Sequence, residues 1–226
     1  MTTTSTDTDA GGMRGRTSAP DLLVLHAVRL SGMADDEAVA RRVGVPRDEA
    51  SELLLDAEAF GWVTRVEFGA SQGWAITDRG RVEHERRLAA ELDAADSDTG
   101  TARSAVERAH RRFEELNGRL VAASTDWQLH PTSADRFAAN THNDPEWDER
   151  ILSELAELER ELRPLIAELA GRLARFEGYD DRFAAALDRA RGGDPAWVTG
   201  IGIDSCHVVW MELHQDLLST LGLERG

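Results

Sequence analysis

Residues 35–63 read DDEAVARRVGVPRDEASELLLDAEAFGWV, and the spacing inside this stretch decides the fold of the N-terminal part of the chain. Asp35 or Asp36 caps a short helix that runs through Val43, with Val39, Ala40 and Val43 on its buried side. Ala40 has to be small because two helices cross there. Gly44 follows where the chain must enter a left-handed turn, a conformation only glycine adopts without penalty. Val45 fills the angle between the two helices, and Pro46 suits the opening of the second, where a first-turn N–H has no intrahelical partner to lose. Ala50, Leu53, Leu54 and Ala57 then recur at helical spacing. This is the pattern of a helix-turn-helix.

The flanks extend the pattern. After Pro20-Asp21, the residues Leu22, Leu23, Leu25, His26, Val28 and Arg29 fit a helix with an apolar face that ends at Ser31-Gly32. Downstream, WVTRVEF at 62–68 alternates as a strand, GASQG at 69–73 is a turn-forming loop, and Trp74, Ala75 and Ile76 return as a second strand. Thr77 caps a helix that reaches about Leu92. Helix, helix-turn-helix, two-stranded hairpin, helix is the order of a winged-helix domain. WAITDRGR at 74–81 resembles the close of the wing in the MarR-type winged-helix transcriptional regulators, and the resemblance covers about residues 20–95, roughly a third of the chain.

That resemblance implies a homodimer bound to pseudo-palindromic operator DNA, with the second helix of the turn in the major groove and the wing on the minor groove or backbone. Carried onto this sequence, Arg47, Asp48, Glu49, Ser51 and Glu52 form the groove-facing start of the recognition helix, and Arg65 and Gln72 are the wing contacts. Arg41 and Arg42 on the preceding helix are phosphate clamps. Arg47 can bond guanine as a fork and Ser51 can reach a base or a phosphate, whereas Asp48, Glu49, Glu52 and Asp56 would face a polyanion. Acids in a first turn also have an ordinary origin in the positive end of the helix dipole. The acidic helix therefore leaves a second reading open, a non-DNA-binding adaptor whose winged helix docks a protein partner.

Charge sharpens the choice. The 226 residues carry 26 basic side chains, all of them Arg, against 42 acids, for a net charge of −16. Residues 21–100 hold 9 Arg against 17 acids and residues 101–226 hold 15 against 23, so neither part is basic. A broad basic nucleic-acid surface is excluded, and any DNA contact has to be local. With 41% hydrophobic residues the chain can bury a proper core, yet no window approaches eighteen uninterrupted apolar residues, and Leu22–Leu30 is broken by His26 and Arg29. The lone Cys206 cannot form an internal disulfide, and the first twenty residues lack a basic start followed by an apolar stretch, which together point to the cytoplasm. Residues 1–19 are mostly Thr, Ser, Asp and Gly and are expected to be a disordered tail, with Met13 as an alternative start and Arg14 and Arg16 as flexible arms. DAADSDTGT at 93–101 lacks an apolar period, which places a linker at 96–102.

Residues 103–226 read as an all-α bundle that dimerises and binds an effector. Val106, Ala109, Phe113, Leu116 and Leu120 recur at three- and four-residue steps. From Pro145 to Phe176, so do Trp147, Ile151, Leu155, Leu158, Leu162, Leu165 and Leu169, with Pro164 expected to kink or break the helix. Further helices are expected over Asp180–Arg191 and Asp204–Leu221. The connection STDWQLHPTSADRFAANTHNDPEWD is long for a bundle and carries Trp127, His130, His142, Asp144 and Trp147. His207 and His214 lie seven residues apart and so on one helix face, near Trp210. These residues admit three readings: a metal site of His130, His142, Asp144, His207 and His214; a small-molecule pocket lined by Trp127, Trp147, Trp197 and Trp210; or capping and packing groups at a bundle end. The sequence names no cofactor and no enzyme site, since Cys206 and His207 are neighbours whose side chains diverge by about 100° on a helix. The glycines of TGIGID at 199–204 read as the turn into the last helix, because no strand precedes them and no Lys follows.

Overall fold

The computed structural model describes residues 15–69 and 71–223. The protein is mainly helical, with one two-stranded antiparallel sheet. In chain order the N-terminal elements are α1 (Pro20–Ser31), α2 (Asp36–Val43), α3 (Arg47–Ala59), β1 (Val63–Phe68), β2 (Ser71–Ile76) and α4 (Asp78–Thr99). There follow α5 (Ala102–Gln128), α6 (Pro145–Ala170), a 3-10 turn at Ala174–Phe176, α7 (Tyr179–Arg191), the short α8 (Ala196–Thr199) and α9 (Cys206–Leu221).

The local signals act where they were read. The Asp35 carboxylate accepts from the Ala38 N–H at 2.8 Å and opens α2, and Gly44 ends it with a left-handed φ of 76°. Thr77 accepts from the Gly80 N–H at 3.0 Å and starts α4. The strands pair from Val63↔Ile76 to Phe68↔Ser71. The turn between α1 and α2 adds an isolated bridge, in which Ala34 and Trp74 exchange two backbone hydrogen bonds and fasten the hairpin to the helices. Val24, Leu25, Val28, Val39, Ala40, Ala50, Leu54, Val63 and Trp74 form one apolar core. A second core lies among α5, α6, α7 and α9, where the Phe113 ring stacks on Trp210 at 4.6 Å and the indole N–H of Trp210 donates to Asn117.

Four local expectations change in the folded protein. The stretch expected as a linker at 96–102 is helix as far as Thr99, with the Ser97 and Thr99 hydroxyls donating to the carbonyls of Asp93 and Ala95 one turn back. Leu92 and Ala95 join the second core, so α4 spans both units. Of the tail expected to be disordered, residues 15–19 dock against the bundle: Arg16 exchanges backbone hydrogen bonds with Arg172 and Ala174, and its guanidinium pairs with Asp98. Met13 and Arg14 lie outside the described residues. Finally, α6 runs unbroken through Pro164 and ends at Ala170. Pro164 and Arg160 are both exposed, so water can serve the carbonyl that the proline cannot.

Two glycines test this packing in opposite directions. A methyl at Gly80 would overlap the carbonyl oxygen of Trp62, whereas one at Gly118 of α5 meets nothing. Gly80→Ala should lower the unfolding free energy by about 1–3 kcal/mol in urea titration. Gly118→Ala should leave it unchanged or raise it by up to about 1 kcal/mol.

Candidate nucleic-acid interface and interdomain cleft

The first turn of α3 and the β1–β2 hairpin enclose a groove of about 380 Å³, bordered by Asp35, Asp36, Glu37, Arg47, Arg65, Glu67, Gln72 and Trp74. Arg47, Arg65 and Gln72 are all exposed here, as the recognition-helix reading requires. Asp36 lines the same groove. Its carboxylate accepts from the Trp74 indole N–H at 2.6 Å. Burial alone would raise the Asp36 carboxyl, but hydrogen bonds from Trp74 and Ser51 and the charges of Arg47 and Arg65 hold it below its ordinary value. The Arg65 guanidinium also lies over the Trp74 ring at 4.4 Å. The cations expected to meet phosphate or base thus already face an internal acid. Asp48, Glu49, Glu52 and Asp56 are exposed along α3.

The two cations of α2 part company. Arg41 is exposed and 3.5 Å from Glu37. Arg42 is drawn toward the bundle, 2.8 Å from Glu212 of α9, which also accepts from Arg182 at 2.6 Å. Arg42 is therefore an interdomain residue rather than the free phosphate clamp expected of it, because a half-buried guanidinium gains more from a carboxylate at this distance than from solvent.

Arg42 marks the edge of a buried polar network that sequence reasoning missed. Arg175, from the 3-10 turn, is 1% exposed and bonds three side chains on two helices. It donates to Glu91 of α4 at 2.8 Å, to Thr220 of α9 at 2.6 Å, and to Asp216 of α9, whose side chain is 0% exposed. Asp216 accepts in addition from the Tyr179 hydroxyl at 3.2 Å and stands 3.1 Å from Nε2 of His26 in α1. On the far side of His26, Nδ1 lies 2.9 Å from Nε2 of His84 in α4. Burial would raise the Asp216 carboxyl, yet Arg175 and His26 hold it far below the carboxylate range. Burial and the Asp216 charge push the Tyr179 hydroxyl up, so it remains a proton donor. The missed signal was compositional: Glu212 and Asp216 are the two acids of the last helix, one turn apart among its large apolar residues.

Beside this network opens a cleft of about 1370 Å³. One wall is α1 and α2, with Arg29, Ala38 and Arg42; the other includes Trp197, Ile201 and His207 from the bundle. Burial lowers the His207 imidazole, and its Nδ1 is buried without a hydrogen-bond partner.

The other expected ligand residues are dispersed. Trp127 and Trp147 donate their indole N–H groups to the carbonyls of Pro195 and Asp126, His130 stacks on Trp147 at 4.3 Å, and His142 pairs with Asp148 at 3.0 Å. His130 and Asp144 are 3.8 Å apart in the same loop. Trp210 is core, and of the four tryptophans expected around one pocket only Trp197 borders the cleft. His207 and His214 share a helix face, but seven residues separate them by roughly 10 Å of axis, too far for one ion. His207 borders the cleft while His214 contacts Glu114 of α5 at 2.8 Å, so the five-residue metal set does not assemble.

The network should be sensitive to acid. Burial, reinforced by the charges of His26, Arg175 and Arg29 and opposed by Asp216, drives the His84 imidazole from 6.5 down to about 2. The unfolded chain takes up a proton there near pH 6.5 and the folded chain does not. The stability from His84 is complete above pH 6.5 and declines below it, by about 1.4 kcal/mol per pH unit at 25 °C. Urea unfolding between pH 7.5 and 5 should show this slope, and His84→Gln should flatten it by about one proton; equal slopes in both proteins would refute the assignment. Asp216→Asn, which leaves Glu91 as the one carboxylate bonded to Arg175, should lower stability at neutral pH by up to about 3 kcal/mol. Compared with family models, with curated proteins and with solved structures, the chain gives no match.

Proposed function

We propose that this protein is a winged-helix transcriptional regulator that binds operator DNA as a homodimer through α3 and the β1–β2 wing. The observation that carries this reading is the groove in which Arg47 from the start of α3 and Arg65 and Gln72 from the wing stand exposed around one opening. An arginine fork at the start of an exposed helix suits a guanine edge, and a wing arginine suits the adjacent backbone. Few phosphates are neutralised by such a set, so specificity comes from a small number of base contacts and the salt dependence is shallow.

The cleft supplies the regulatory half of the proposal. It runs along α2, the helix that supports α3, and Arg42 at its edge ties α2 to Glu212 of α9. A small-molecule effector seated between the units would compete with that pair and shift α2 relative to the bundle. The adaptor reading is favoured by a different observation: Asp36 already engages Ser51, Arg47 and Arg65, and α3 exposes Leu55 at 46% beside its acids. Such a face suits a basic, partly apolar protein surface.

Mobility-shift assays with the DNA upstream of the protein's own gene, at two salt concentrations, separate the readings. A specific shift at low salt is expected, weakened about 5- to 100-fold by Arg47→Ala. Asp36→Asn should tighten binding severalfold, because it removes the internal competitor while retaining an acceptor for Trp74. If no specific shift appears at low salt and Arg47→Ala changes nothing, the regulator reading fails and the adaptor stands.

A further inference from the structure

Away from the α3 face and the cleft, α5 and α9 bring together two histidines and a glutamate. His110 and Glu114 are one turn apart on α5, and His214 reaches across from α9 against the Phe113 ring, with centroids 5.2 Å apart. Glu114 Oε1 lies 2.8 Å from His214 Nε2 and 3.7 Å from His110 Nε2. One ligand atom from each of the three falls within 4.8 Å of the other two. His110 Nε2 is buried and has no hydrogen-bond partner, although it faces this shared space. An orphaned imidazole nitrogen beside a carboxylate and a second imidazole is costly in a folded protein unless something else satisfies it.

We propose that His110, Glu114 and His214 bind a divalent first-row transition-metal ion of the zinc type. Two imidazole nitrogens and one carboxylate oxygen suit zinc, nickel or cobalt, whereas magnesium and calcium want six or more oxygens. Bond lengths of about 2.0–2.2 Å in a tetrahedral site place the ligand atoms about 3.3–3.5 Å apart. The Glu114–His214 pair at 2.8 Å has to open by about half an ångström and the His110–Glu114 pair at 3.7 Å to close by a few tenths, which the half-exposed Glu114 side chain can do by rotation, and no pair of ligand atoms lies more than 4.8 Å apart at the outset. The ion replaces the Glu114–His214 pair and satisfies the stranded His110 nitrogen, and water takes the remaining position on the open side.

The placement of the site on α9 has a structural consequence. Glu212 and Asp216 flank His214 by two residues each way, so both project from the opposite side of the helix. The metal pins α9 to α5 from behind, while the front of the same helix holds Arg42, Arg175 and His26 of the interdomain network. This holds whether or not the N-terminal unit meets DNA.

The test is a titration of the full-length, chelator-stripped protein with Zn²⁺ alone by calorimetry, together with elemental analysis after dialysis. One zinc per chain is expected, with a rise in melting temperature and no heat from Mg²⁺ under the same conditions. His110→Gln and Glu114→Gln, both at partly open positions, should each weaken zinc binding by about 100-fold or more while circular dichroism stays unchanged. His130→Gln, in the loop, should bind zinc as the parent does. A parent that takes up no zinc, or zinc binding that survives both α5 substitutions, would overturn the proposal.

Discussion

The buried pair of Arg175 and Asp216 is the constraint around which the two units are arranged. Taking a guanidinium and a carboxylate out of water costs several kcal/mol per ion, and the cost is recovered only when further hydrogen bonds complete both groups. Here Glu91 and Thr220 accept from Arg175, the Tyr179 hydroxyl donates to Asp216, and the His26 ring stands 3.1 Å from the same carboxylate. These partners come from α1, α4, α7 and α9, so both units have to be in place before the charges are satisfied. Apolar surfaces tolerate sliding, but a network of directional bonds in a water-poor interior does not. The relative position of the units is therefore specified by polar geometry as well as by burial.

Helix α2 joins this constraint to the exposed face. Val39 and Ala40 pack it against α1 and α3, while Arg42 reaches Glu212 and the Tyr179 hydroxyl. Whatever moves α9 is felt by α2 through one guanidinium, and α2 supports the start of α3. The cleft lies along the same path, and the histidine and glutamate cluster sits on the reverse of α9. Coupling between sites needs such an element shared by both, and α9 is the one that the described residues provide.

Much of the local structure was legible because its determinants are short-range. Asp35, Gly44, Pro46, Thr77 and Asp144 set helix ends by backbone chemistry that needs no distant partner, and the apolar repeats on α5 and α6 declared their buried faces. Legibility failed where a residue's role depended on something far away in the chain. Arg42 looked like a free cation because Glu212 is 170 positions downstream. Nothing local relates His26 to His84, 58 positions away, yet their rings lie 5.2 Å apart. DAADSDTGT looked like a linker because it lacks an apolar period, yet Leu92 and Ala95 pack into the second core and the helix runs on to Thr99. His207 and His214 share a face as their spacing requires, but angular agreement says nothing about axial distance or about which helix supplies the third ligand.

The sequence by itself therefore determined a mainly helical chain, the order of its elements, the turn between α2 and α3, and a strongly acidic surface. These follow from periodicity, capping and charge, which are properties of neighbours along the chain. Only the tertiary structure decided that Arg42 serves the bundle, that Asp36 engages Ser51, Arg47 and Arg65, and that His110, Glu114 and His214 meet. Each of those depends on which side chains share a small volume, and that is settled by how the apolar faces pack and where the buried charges can all be satisfied at once.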